Sequence, residues 1–250
     1  MEGDYIVGRN PIFEALKSNR EIDKIFILKG ELKGSINKII GEAKDRHIPI
    51  QYVERGKLDG ISGSIPHQGV AALVSSYAYS TVDDILNASA EKSEEPFIII
   101  LDGIEDSHNL GAIIRTAEAG GAHGIIIPKH RSATLTQAVA KASAGAIEWI
   151  KVARETNISA TIQYLKKKGL WIFGADMAGE NYYYETDLKG PIALVIGSEG
   201  KGLSRLVKEN CDFLIKIPMV GHISSLNASN AVSVLIYEVV RQRSLKNEKR

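Results

Sequence analysis

The sequence predicts an α/β fold carrying a mostly parallel sheet, preceded by a smaller α/β domain. Three observations lead there. Short, largely apolar runs at 97–101, 192–196 and 213–217 have the length and composition of buried strands. Each run is followed at once by a polar loop containing glycine (Gly103, Gly197 to Gly202, Gly221). Each loop then leads into a segment whose apolar residues recur at helical spacing. Alternation of this kind lays parallel strands between layers of helix.

Taken in order, residues 1–75 form the smaller alternating domain. A helix is expected over 10–18, a strand over 24–28, and a helix over 35–47 with Ile36, Ile39, Ile40 and Ala43 on one face. Strands follow at 50–53 and 69–75. Residues 76–95 hold five acids and one lysine and read as a linker, in which 82–86 can form a helical turn. The body, 96–250, contains six expected strands: 97–101, 124–127, 149–152, 170–175, 192–196 and 213–217. Helices are expected at 109–119, 135–144 and 158–168. The last helix, 226–243, is apolar at Ala231, Val232, Leu235, Ile236 and Val239, a stripe wide enough for burial on more than one side, as at a dimer interface.

Composition excludes several classes. At 250 residues the chain has ample core for one large or two modest domains. No apolar run approaches the ~20 residues of a membrane helix, and the opening M-E-G-D-Y-I-V-G is not a signal peptide. Cys211 is the only cysteine, so no disulfide forms within the chain and a reducing cytoplasm is expected. No His/Cys/Asp cluster has zinc spacing, and no metal is expected. The net charge of +1, and 19 basic against 15 acidic residues over 96–250, do not announce nucleic-acid binding. Any basic surface must come from arrangement rather than total.

The stretch 192–230 concentrates the chemistry. Two strand–loop–helix units follow one another there, and ligands of open α/β sheets collect where strand ends meet helix starts. The loop G-S-E-G-K-G-L-S (197–204) is not a phosphate-binding P-loop, because its Lys201 is followed by glycine and its glycines stand too close. Glu199 also carries the wrong charge for nucleotide phosphates. G-x-G-x-x-G is absent, so the two loops are expected to wall a pocket for something other than a nucleoside triphosphate.

V-I-G-S-E-G-K-G-L-S, I-P-M-V-G-x-I-S-S-L-N and, earlier, L-D-G-I-E-D-S-H-N-L-G-A-I-I-R-T-A-E-A-G-G (from Leu101) resemble, in order, the second, third and first motifs of the SpoU, or TrmH, family of RNA ribose 2′-O-methyltransferases. The resemblance covers roughly 96–243, and His67-Gln68-Gly69-Val70 in the head is similar to members that modify guanosine of large-subunit rRNA. It implies a C-terminal trefoil knot, a homodimer, an L30e-like head that holds RNA, and S-adenosylmethionine as methyl donor. The implied catalytic residues are Arg115, Asn109, Glu199, Ser225 and Asn227. The implied cofactor contacts are backbone groups at Gly197, Ile217 and Leu226, with Met219 nearby. Small departures occur at Ser107, Ala228 and Asn230.

Each of these residues also has an ordinary structural reading. Asn109 suits a helix N-cap, as do Ser225 and Asn227 for the last helix. Glu199 suits a solvated loop, Ile217 and Leu226 suit core, and Arg115 suits a helix surface. His67 and His47 are candidate RNA contacts or, as single histidines, surface or capping residues, and the loop residues His130 and Arg131 are candidate RNA contacts or a plain basic loop. Lys166 to Lys168 read as a solvated helix end. Because guanidinium stays protonated, Arg115 is expected to clamp a phosphate and stabilise the developing alkoxide rather than act as a base. The expected substrate is RNA, large-subunit (23S) rRNA first, with tRNA as the alternative within the class and a noncatalytic RNA-binding assembly factor outside it.

Overall fold

A computed structural model describes residues 4–17, 21–30, 34–63, 65–75 and 77–247. They fall into two compact units, 1–78 with 134–138 and 79–133 with 139–250.

The first unit runs β1 (Asp4–Val7), α1 (Arg9–Lys17), β2 (Ile22–Leu28), α2 (Ser35–Asp45), β3 (Ile50–Val53), α3 (Arg55–Ser62) and β4 (Val70–Val74). Its sheet has the order β1-β4-β2-β3, with β2 antiparallel to β4 and parallel to β3. Alternation along β2 sends Ile25 and Ile27 under Ile12, Leu16, Ile36 and Ile39, while Phe26 joins Val53, Leu58 and Ala71 on the opposite face. The sequence reading missed β1 and α3. Tyr5, Ile6 and Val7 of β1 are only half-buried, and α3 carries two glycines and buries just Leu58 and Ser62, so neither leaves a strong periodic signal. Helix α2 stops before His47, which takes a left-handed φ of 55°. The expected end of α1 at residue 18 lies outside the described residues.

The second unit opens with α4 (Val82–Glu91) and β5 (Phe97–Asp102), then α5 (Ser107–Ala119), β6 (Gly124–Pro128), α6 (Gln137–Ala142), β7 (Lys151–Glu155), α7 (Ile158–Lys167) and β8 (Trp171–Ala175). It closes with β9 (Asn181–Tyr182), β10 (Ile192–Gly197), α8 (Arg205–Asn210), β11 (Phe213–Lys216) and α9 (Ala228–Asn247). The sheet order is β7-β6-β5-β10-β8-β11-β9 and every pairing is parallel. The α/β reading therefore holds, with a seventh strand, β9, too short at two residues to stand out in sequence. One face of the sheet buries Ile98, Ile100, Ile172, Ala193 and Val195 beneath Ile158, Ile162 and Leu165 of α7. In α9, Val232, Leu235, Ile236 and Val239 are fully buried. Close packing with α5 leaves no room at Gly120, where an added Cβ would stand 2.2 Å from Ile236 Cγ2.

The expected linker is corrected in part. Within 76–95, α4 is a ten-residue helix whose Val82 and Ile85 belong to the second unit's core. Thr81 Oγ1 accepts from Asp84 N at 3.1 Å, and Asp84 Oδ2 accepts from Thr81 N at 2.8 Å, a reciprocal capping box. The acids that suggested a solvated spacer, Asp83 and Asp84, occupy a helix's first turn, where its dipole favours negative charge.

Candidate functional site

β5 and β10 are neighbours in register, Asp102 opposite Gly197, so the loops after them leave the same edge of the sheet side by side. The second of these loops folds on itself. Ser198 and Gly202 exchange backbone hydrogen bonds at 3.2 and 2.9 Å, with φ of 79° at Gly200 and 64° at Gly202. Gly197 is obligatory beneath this bend, because a Cβ there would lie 2.1 Å from the Gly202 carbonyl carbon. Asp102 closes the arrangement by accepting from Ser204 N at 2.7 Å. Sequence reading passed over Asp102, although a carboxylate at the last position of a buried strand is itself a signal.

Three distant segments meet above this bend. Asn109 is not the cap of α5. That role belongs to Asp106, which accepts from Asn109 N at 2.8 Å and leaves the asparagine amide free to reach outward. Asn109 Nδ2 donates to Glu199 Oε1 at 3.1 Å, and Asn109 Oδ1 accepts from Asn227 Nδ2 at 3.0 Å. Asn227 Nδ2 also donates to Glu199, and Ala228 N donates to the same carboxylate oxygen at 3.2 Å. Glu199 thus sits at the N-terminus of α9, where a negative charge is favoured. Asn227 also caps that helix, since its Oδ1 accepts from Ser229 N at 2.9 Å.

Two cavities open on either side of Glu199. One, of about 420 Å³, is lined by Gly197, Ile217, Met219 and Leu226, all four expected cofactor contacts, and also by Ser225. The other, of about 460 Å³, is lined by Asn109, His130, Arg131 and Lys201 together with Glu105 and Asp106. Lys201 faces both cavities and was not singled out from sequence.

Arg115 is elsewhere. Six residues on from Asn109 it has turned about 240° round α5, and it lines a separate hollow with Glu118, Ser143 and Trp149. Within one chain it is not an orienting partner of Glu199. His67 takes the capping role that its ordinary reading allowed, its Nδ1 accepting from Gly69 N at 2.9 Å while Nε2 faces Asp59 at 3.1 Å. Lys166 is not simply solvated, as it pairs with Asp212 at 2.6 Å. Burial pushes the Cys211 thiol up to about 12, so it stays protonated at neutral pH and is a poor nucleophile. Among the described residues no group of three or more His, Cys, Asp or Glu could hold a metal ion, and no helix is long and apolar enough to cross a membrane.

Residues 96–237 match the SpoU rRNA methylase family, and residues 5–80 match the RNA 2′-O ribose methyltransferase substrate-binding family. A Bacillus subtilis protein provisionally named a TrmH family tRNA/rRNA methyltransferase, YacO, is 52% identical over 96% of this chain and 96% of its own length. A similarly named Staphylococcus aureus protein is 51% identical over 97% and 98%. Among solved structures, the SpoU methyltransferase AviRb of Streptomyces viridochromogenes, in complex with AdoMet, superposes with a TM-score of 0.62 at 24% identity, over 96% of this chain and 90% of that one. The A. aeolicus TrmH/SpoU tRNA-modifying enzyme superposes at 0.56 and 28% identity, over 62% and 78%.

Proposed function

We propose, on the premise that this chain belongs to the SpoU rRNA methylase family, that it methylates a ribose 2′-hydroxyl in RNA with S-adenosylmethionine, on a guanosine of 23S rRNA. The observation that carries this reading is the junction of Asn109, Glu199 and Asn227, three segments far apart in sequence, beside one cavity that holds every expected cofactor contact.

The cavity suits the donor chemically. Its volume falls in the ~300–1,000 Å³ range of small-molecule sites. Ile196, Ile215, Ile217 and Leu226 supply apolar walls, and the loop around Gly197 to Gly202 brings main chain close. S-adenosylmethionine supplies a methyl group already activated on its sulfonium, so no metal is needed to drive the displacement. The remaining work falls to the chain: to hold the ribose oxygen in line with that methyl group and to stabilise charge as the hydroxyl proton departs. The neighbouring cavity, with His130, Arg131 and Lys201, is placed to take the RNA backbone.

Arg115 remains the residue assigned to the phosphate clamp and alkoxide stabilisation. Because it faces away from Asn109 in one chain, a homodimer in which Arg115 of one copy serves the donor cavity of the other completes the site. That dimer, a trefoil knot around the donor loops, RNA holding by the head domain 1–75 and a cytoplasmic location form part of the same reading. The test is transfer of labelled methyl from S-adenosylmethionine to 23S rRNA and tRNA transcripts, followed by mapping of the modified nucleotide. Transfer to tRNA alone would move the substrate within the class, and no transfer to either would favour a noncatalytic RNA-binding factor. Arg115→Ala is expected to lower turnover by about 10²–10³-fold while donor affinity measured by calorimetry stays within about twofold. Normal turnover would remove Arg115 from the mechanism.

A further inference from the structure

The hollow beside Arg115 holds a second feature that the donor site does not use. Trp149 is 83% exposed, the most open of the chain's two tryptophans. Trp171 packs its ring against Phe213 at 5.7 Å, whereas among the described residues no ring or cation contacts Trp149. A large indole left in water has an unmet opportunity to bury apolar area.

The surroundings are built rather than frayed. Gly111 lets α6 press onto α5, since a Cβ there would stand 2.4 Å from Ala142 Cβ and 2.9 Å from Val139 O. The chain then reverses through Ala144 and Gly145, both left-handed at φ 51° and 85°. A short 3-10 turn, Ala146–Glu148, follows and buries Ala146 and Ile147. Ser143 is fully buried and donates to Ala140 O at 2.9 Å. The result is a hollow of about 420 Å³ with small side chains between a guanidinium on α5 and an indole. Arg115 forms no ion pair among the described residues, although Glu118 lines the same hollow.

A guanidinium next to an unpartnered aromatic face is a pairing suited to single-stranded RNA. The cation takes a phosphate, and the ring takes a base by stacking, which any base can supply. We infer that Trp149 is a stacking platform for a nucleobase of the RNA adjacent to the ribose that is methylated, in the same hollow where Arg115 holds the intervening phosphate. This rests on the reading of the chain as an RNA ribose methyltransferase. Trp149 acts by positioning the substrate and does not touch the transferred methyl group.

Fluorescence gives a direct test, because Trp171→Phe leaves Trp149 as the single indole. Emission from that variant is expected to be quenched on titration with a short oligoadenylate and with an rRNA transcript. In the full chain, Trp149→Ala is expected to raise KM for the transcript about tenfold, with kcat at saturating RNA and S-adenosylmethionine affinity nearly unchanged. Trp149→Phe, which keeps an aromatic face, is expected to restore most of the loss. Unquenched emission with both RNAs, or an unaltered KM in Trp149→Ala, overturns the inference. So does a Trp149→Ala variant that sediments as a monomer where the parent is a dimer, since the indole then belongs to a protein interface. Absence of methyl transfer by the parent protein counts against the enzymatic reading instead, and quenching by oligoadenylate remains a separate outcome.

Discussion

The two loops that wall the 420 Å³ cavity beside Glu199 are built on opposite plans. The first, 198–204, is bonded to itself through Ser198 and Gly202, pinned to β5 through Asp102, and joined to α5 and α9 through Glu199. In the second, residues 218–226 make no hydrogen bond with the described residues, and Val220 and Ile223 stand 98% and 73% exposed. One loop is preorganised by its own backbone. The other offers apolar side chains with nothing yet against them. On the proposed function, this difference is a division of labour: the rigid wall would set the geometry of the methyl donor, and a ligand or a second copy would cover the open one.

Gly197→Ala should break the rigid wall most severely. Its new Cβ would collide with the Gly202 main chain, at a cost of about 1–3 kcal/mol of overpacking. Calorimetry should find donor affinity weakened by about 100-fold, and wild-type binding in that variant would show that the bend can shift freely. Glu199→Ala comes next, because it strips one carboxylate from three donors at an exposed position. About 1–2 kcal/mol of lost bonding corresponds to roughly tenfold lower turnover, and Glu199→Gln, which keeps an acceptor oxygen, should recover part of it. Ile223→Ser probes the open wall and should be the mildest. An unfolding free energy unchanged to within about 0.5 kcal/mol is expected of a free side chain. A larger, concentration-dependent fall would mean that a second copy already covers the loop.

Legibility followed the physics of each feature. Strands 97–101 and 192–196 announced themselves because both of their faces are buried, which forces a continuous apolar run. The glycine loops announced themselves because a backbone packed against backbone admits no Cβ. The segment 82–91 was misread because an acidic helix start and an acidic spacer share a composition, and only the Thr81–Asp84 pair three residues apart separates them. The ordinary reading of Asn109 as a helix cap fell away because Asp106, equally suited, stands three residues earlier and took the position. For the histidine in His67-Gln68-Gly69 the sequence left an RNA contact, a surface residue and a cap open, since nothing local reveals that Asp59 closes on its far nitrogen.

By itself the sequence determined the parallel α/β body and the small domain before it, which follow from periodicity and glycine placement, both local. The motif resemblance added Asn109, Glu199 and Asn227 as candidates for one site. Only the tertiary structure decided that Asn109 and Arg115, on one helix, face different hollows, that Glu199 ties three segments through a single carboxylate oxygen, and that Trp149 is left open beside Arg115. Such relations depend on how far a helix turns between two residues and on what packs across from each, and neither is written in the neighbouring letters.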